Sequence, residues 1–517
     1  MAYIVEQKIG KHVYVYEVQS YWDSEKKQPR QKRKYIGKKD LNTGKVITPR
    51  KSNLPRLSKD FGHVYLLEGV AKEIGLKGAL EDVFGEGEAQ EILNLAFYSI
   101  SEGRPLYLYK HWAEITAVTE GSGTMSSQKI SRLLKELGKE EVLREMFIGK
   151  WIEQQEDIKA VVFDITSFSS YSRGLELLEW GYNRDGDALR QVNFGVIMGS
   201  PSALPIGYRI YPGSITDVVT LKNLVGYLEG KGLRQYMFVL DRGFYSERNI
   251  SMMGKEGVDF IIPMPFSSGV ARSLLSRHLK DLDSAVNAFM YEGEAFFHVQ
   301  GEIEIGGKGV TFHIYSNEKR KAEGMERLIR RLAEIEDAVA VRRFRAREEV
   351  EEFIEGQFRG GSRFYSIEVS AEGVELLRRQ KALSRRINIM GKMILLCSVF
   401  GMDRVEVLSL YRRKDFIEKV FEVMKNEIDD GRLRIRRIDS LEGRLFLMFI
   451  ALILYIALSN KMREEELYKK YTLSEVLYEL KKLRLVEMLN GKKYLTEITK
   501  KQRTLYEKFG IPLPVIT

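Results

Sequence analysis

Hydrophobic and polar positions alternate with changing period along the chain. HVYVYEVQSYW, residues 12–22, alternates at period two, and KRKYIGKK, 32–39, follows a polar turn. The pattern predicts a β-hairpin arm, with Pro49 and Pro55 marking a linker after it. From 62 to 155 the apolar residues recur at spacings of three and four, in VYLLEGVAKEIG, EAQEILNLAFYSIS, QKISRLLKELG and KEEVLREMFIGKWIEQQ. That periodicity predicts a helical domain. KAVVFDIT, QVNFGVIMGS and ALPIGYRIYPG then read as three strands, DVVTLKNLVGYLEG as an amphipathic helix and QYMFVLD as a fourth strand. Between 266 and 385 the texture becomes long alternating strands, a charged helix near 317–338 and a further strand pair. KMILLCSVF and the helix of 411–427 resume the earlier character, and LFLMFIALILYIAL, 445–458, reads as a buried helix covering the sheet.

The expected organisation is therefore a basic arm (1–60), a helical DNA-binding domain (61–155), a first core segment (156–265), a β-rich insertion (266–385), a second core segment (386–460) and a helical tail (461–517). The apolar run at 445–458 is 14 residues, whereas a bilayer span takes about 20, so no membrane partner is expected.

Composition narrows the function. With 44% hydrophobic and 30% charged residues over 517 positions, the chain is a folded multidomain protein. Its one cysteine, Cys397, excludes an internal disulfide, and six scattered histidines supply no zinc motif. The N-terminus lacks the pattern of a signal peptide, so a cytoplasmic, nucleoid-associated protein is expected. The net charge of +10 is concentrated: residues 1–60 hold fifteen Lys and Arg against six acids. Arg30, Lys32, Arg33 and Lys34, interleaved with Tyr21, Trp22 and Tyr35, suit a phosphate backbone. Charge alone fits a solvated surface hairpin equally well.

Three strands before the first helix fit the meander of an RNase H-like sheet and not a Rossmann fold, which needs a crossover after each parallel strand. No G-x-G-x-x-G or Walker loop is present; GGKG at 306–309 has the wrong spacing. The expected fold is thus α/β, an RNase H-like core interrupted by a β-rich insertion. Asp164 of VVFDITSF and Asp241 of VLDRGFYS each read as ending an apolar strand, and in that strand order they meet at one edge. A carboxylate behind four apolar residues is costly to bury unless it is paired or holds a metal. A third candidate lies in YRRKDFIEKVFEVMK: at 100° per residue Tyr411, Lys414, Glu418 and Lys425 share one helix edge. Glu422, one turn beyond Glu418, is the rival acid by spacing alone; Asp217, opening the helix after the third strand, and Asp185, in the turn-like NRDGD, are lesser rivals for the strand acids.

Asp164, Asp241 and the Tyr-x2-Arg-x3-Glu-x6-Lys pattern of Tyr411, Lys414, Glu418 and Lys425 resemble the DDE transposases of the insertion-sequence-four type. The likeness runs over nearly the whole chain, including the 177-residue gap between Asp241 and Glu418. It implies Asp164, Asp241 and Glu418 as the catalytic metal-binding triad, with Tyr411, Lys414 and Lys425 near DNA phosphates. It implies two Mg²⁺ or Mn²⁺ ions, double-stranded DNA as partner (terminal inverted repeats and target) and a homodimer on paired ends. Three carboxylates can hold two such ions, and oxygen-only ligands favour Mg²⁺ or Mn²⁺ over zinc. Two positions depart from the pattern: Lys414 replaces Arg, and Ser214 stands where many relatives have Asn. For a base-stacking aromatic after the second acid, the candidates are Phe244, Tyr245, Phe260 and Phe266. A nuclease or resolvase without strand transfer and an inactive domesticated DNA-binding protein are the competing expectations.

Overall fold

The computed structural model describes residues 2–23, 27–47, 55–118, 125–155, 158–172, 175–181, 189–215, 217–370, 373–425, 435 and 437–516. Pro49 of the expected linker lies outside them, as does Asp185, a lesser candidate acid in NRDGD. The chain divides into two compact units: Met1–Leu66 with Ala113–Val118 and Glu475–Thr517, and Leu67–Trp112 with Thr119–Ser474.

In the first unit, the arm is a four-stranded antiparallel sheet of Ala2–Ile9, His12–Asp23, Gln28–Lys39 and Val46–Ile47 in that order. The expected hairpin is its centre. A separate three-stranded sheet pairs Pro55–Asp60 with Arg484–Met488, which pairs in turn with Lys493–Leu495. These last two strands interrupt the tail expected to be helical. The signal for them is LVEMLNGKKYL, in which Asn490-Gly491 sits between short apolar runs and Gly491 takes φ +83°. The following helix, Lys500–Lys508, starts with a capping box of Thr499 and Gln502, and Tyr506 Oη donates to the Gly62 carbonyl at 2.8 Å.

The second unit is built on a nine-stranded sheet. Numbered in chain order, its strands are β1 (Ala160–Ser170), β2 (Arg190–Ser200), β3 (Pro205–Pro212), β4 (Met237–Leu240), β5 (Asp259–Pro263), β6 (Ala288–Tyr291), β7 (Glu294–Ile305), β8 (Lys308–Asn317) and β9 (Lys392–Cys397). Their spatial order is β6-β7-β8-β9-β5-β4-β1-β2-β3. β1, β2 and β3 form an antiparallel meander, β4 lies parallel to β1, and β5 parallel to β4. A helix, α1 (Asp217–Gly230), makes the crossover between β3 and β4. The order β-β-β-α-β read from the sequence is thus the order in the fold, a mixed α/β protein with one large sheet.

The segment expected as an insertion has two parts. β7 and β8 are joined by Gly306 and Gly307, both at positive φ, with Ile305 opposite Lys308. GGKG is therefore a tight hairpin turn, where only glycine accepts both conformations without strain. β9 pairs antiparallel with both β8 and β5, so β6, β7 and β8 extend the sheet. The remainder forms its own apolar cluster: Leu328, Leu332 and Ile335 of helix Glu318–Ala340 pack with Val350, Ile354 and Phe364.

Two later helices cover the sheet, α2 (Arg404–Val423) and α3 (Ile438–Glu464). α3 has nearly twice the length of its apolar run, and 89% of its most apolar 18-residue window is buried inside the protein. By length and composition it could cross a membrane; here it is the core helix of the second unit. Phe449 packs on Tyr208 of β3 with ring centroids 4.9 Å apart. On its other side α3 meets helix Ser127–Lys139 almost backbone to backbone. A Cβ on Gly443 would stand 1.9 Å from the Leu134 carbonyl oxygen, and one on Gly138 1.6 Å from that of Asp439. Arg144, buried beside this contact, pairs with Glu442 at 2.6 Å.

Candidate active site

Both aspartates lie where β1 and β4 part. Phe163 is opposite Leu240 in the parallel register, so Asp164 and Asp241 are the next residues of two neighbouring strands. The expectation that both acids end their strands needs one correction. Asp241 is the first residue beyond β4, but β1 continues to Ser170, and Asp164 is paired with Val196 of β2 in mid-strand. The meander partner holds β1 extended after β4 has turned away. Asp164 is fully buried, and its Oδ1 accepts from the Ile165 amide at 2.9 Å. Asp241 Oδ1 likewise accepts from the Arg242 amide at 2.6 Å, capping the short turn Arg242–Phe244.

α2 packs across β1 and β4 and brings the third acid. Its buried side includes Ile417 and Phe421, so Lys414 is carried inward at the near edge and Glu418 remains half exposed. Lys414 is only 4% exposed, and its Nζ lies 3.2 Å from Asp241 Oδ1 and 2.8 Å from Glu418 Oε1. Burial opposes the charge of this ammonium. Asp241, the hydrogen bond to Glu418, and the further influence of Tyr411 and Asp164 outweigh burial and hold its pKa above the usual lysine range. The lysine is thus a fixed cation in contact with Asp241 and Glu418 and within the field of Asp164. The sequence pattern marked Lys414 only as a phosphate contact; this bridging place follows from its burial, which spacing does not reveal.

Other expected residues separate by position. Glu422 is exposed and has no cation within 4 Å among the described residues. Tyr411 is half-buried on α2, and Lys425 follows the end of the α-helix in a wider π turn, so the regular 100° step no longer fixes its direction. Asp217 opens α1, as its N-terminal place in the sequence suggests. Phe244 and Phe260 are fully buried, Phe244 against Phe163, leaving Tyr245 and Phe266 as the accessible aromatics after Asp241. Ser214 donates through Oγ to Glu179. Arg30, Lys32, Arg33 and Lys34 are exposed along Gln28–Lys39 in the first unit.

Residues 155–454 match the family of the transposase DDE domain. The chain belongs to the DDE transposase family. It is accordingly a DNA transposase, an enzyme that breaks and joins phosphodiester bonds, and transposases of this family work with divalent metal ions. A solved structure, the piggyBac transposase synaptic complex with hairpin DNA, is similar over 81% of this chain and 76% of that one, at 11% identity and a TM-score of 0.37. No curated protein matches this transposase.

The donor chemistry of the transposase fits such an ion. Asp164, Asp241 and Glu418 offer only carboxylate oxygens, the ligands of hard divalent cations. Asp241 and Glu418 already share a positive charge, that of Lys414. Among the described residues no three acidic, His or Cys side chains converge as a metal cluster, and the Lys414 ammonium stands in contact with Asp241 and Glu418.

Proposed function

We propose that this transposase is a cut-and-paste enzyme of the insertion-sequence-four type, with an RNase H-like core in which Asp164, Asp241 and Glu418 hold two Mg²⁺ or Mn²⁺ ions. The observation that carries this reading is the joint contact of Lys414 with Asp241 and Glu418 beside Asp164. The strand order β5-β4-β1-β2-β3, a meander continued by two parallel strands, supports the core assignment.

Bound there, the ions would supply Lewis acidity at the scissile phosphate and an activated attacking oxygen. In the first reaction a water oxygen bonds to phosphorus and the P–O3′ bond breaks, leaving a 3′-hydroxyl and a 5′-phosphate. In the second, that 3′-hydroxyl attacks a target phosphate and displaces a target 3′-oxygen, so each bond broken is replaced by one formed. The chain's part is positional. β1 and β4 fix the two aspartates, α2 delivers Glu418, and the Lys414 ammonium offsets charge on the phosphate while Tyr411 and Lys425 contact the flanking backbone. The exposed Arg30, Lys32, Arg33 and Lys34 add sequence-independent affinity for duplex DNA. Two copies, one on each element end, make the working complex.

The test is a reaction with the full chain and DNA carrying the inverted repeats that flank its coding region. With Mg²⁺ or Mn²⁺, nicks exposing 3′-hydroxyl ends should appear, followed by joining of those ends to a target plasmid; EDTA should stop both. Cleavage in EDTA would contradict the metal site. Cleavage that never proceeds to joined product in either metal would identify a nuclease or resolvase instead.

A further inference from the structure

A broad cavity lies away from the three acids, within the second unit. Its volume is about 940 Å³, and it runs between helices Glu318–Ala340 and Gln380–Asn388, with β7, β8 and β9 below and α2 at one side. Seven cations line it against two carboxylates, Glu323 and Glu334. Arg331 is paired with Glu334 at 2.8 Å and Arg330 with Glu326 at 2.6 Å. Arg320, Arg327 and Arg386 have no carboxylate within 4 Å among the described residues. Phe296 and Tyr315, also in the lining, are 2% and 1% exposed, so they form a floor and offer no free ring face.

Like charges gathered in a concave surface repel one another and concentrate anions there. Arginine's planar fork suits phosphate oxygens in particular. With Phe296 and Tyr315 sunk beneath the cations and Phe358 half-buried, the groove is lined chiefly to hold a sugar–phosphate backbone. Its position bears on the polyanion: α2 borders both the groove, through Arg412, and the acids, through Lys414 and Glu418, on faces about 200° apart around the helix. We infer that this groove tracks a DNA backbone continuing from the acids, holding its phosphates without reading sequence. The inference rests on the reading of those acids as the reaction site.

Binding of the full chain to element-end DNA and to a scrambled duplex, measured in EDTA against salt concentration, tests this separately from catalysis. Arg320→Gln/Arg327→Gln/Arg386→Gln should reduce the slope of log affinity against log salt by about 2 to 3, at about 0.9 per lost phosphate contact, equally on both DNAs. Arg343→Gln/Arg345→Gln/Arg347→Gln, outside the groove, should change it by less than about 1. Equal slopes for the two triple variants would overturn the inference, and so would a loss confined to the element-end sequence. Should the groove triple variant fail to fold, Arg386→Gln alone should still lower the slope by about 0.9, and an unchanged slope would overturn the inference. A wild-type chain that binds DNA with these slopes but never cleaves in Mg²⁺ would remove the proposed reaction site and with it the continuity argument. Cleavage with unaltered slopes would remove the groove alone.

Discussion

Asp164→Asn and Asp241→Asn should each abolish Mg²⁺-dependent cleavage of element-end DNA, by about 10³-fold or more, while DNA binding survives. Asparagine keeps the size of the side chain and removes the charge. The two residues differ in surroundings: Asp164 is fully buried in mid-strand, and Asp241 is partly exposed beyond β4. Asp164→Asn places a neutral amide where a buried carboxylate stood, and its Oδ1 can still accept from the Ile165 amide; a fold check by thermal melting accompanies the activity. Asp241→Asn also removes one carboxylate from Lys414, leaving that buried ammonium with Glu418. Activity within tenfold of wild type in either variant would move the chemistry to other acids.

The second large effect separates Glu418 from Glu422. Glu418→Gln should eliminate nicking by about 10²-fold or more, and Glu422→Gln should leave it within a few-fold. The two acids sit one turn apart on α2, and helical periodicity alone permits either. Lys414 breaks the tie, since its Nζ touches Glu418 at 2.8 Å and Asp241 at 3.2 Å, joining the helix to the strand end. Glu422 has no such link. A dead Glu422→Gln enzyme beside an active Glu418→Gln enzyme would shift the site by one helical turn.

The core was legible where each element buries its own pattern. β1 to β4 and α1 could be read because their apolar runs are short, separate and bounded by polar turns. The pairing of Asp164 with Asp241 followed from that order, since parallel neighbours in register place successive residues side by side. The mid-strand position of Asp164 was not legible, because β1 is held past β4 by cross-strand bonds to β2, which are non-local. For the same reason the segment 266–385 read as separate: only the pairing of β9 with both β5 and β8 shows that half of it extends the sheet. The strands of 484–488 and 493–495 were hidden by their charged flanks, with Asn490-Gly491 the one local sign. Lys414 was found as a motif residue, but its contact with two acids depends on how α2 lies on the sheet.

The most direct test of the central claim is an anomalous-difference map from crystals of the transposase grown with Mn²⁺ and element-end DNA. The account predicts Mn²⁺ peaks coordinated by the carboxylates of Asp164, Asp241 and Glu418, with oxygen ligands at about 2.0 to 2.3 Å. Mn²⁺ bound only by other acids, with Lys414 still seated between Asp241 and Glu418, would contradict it.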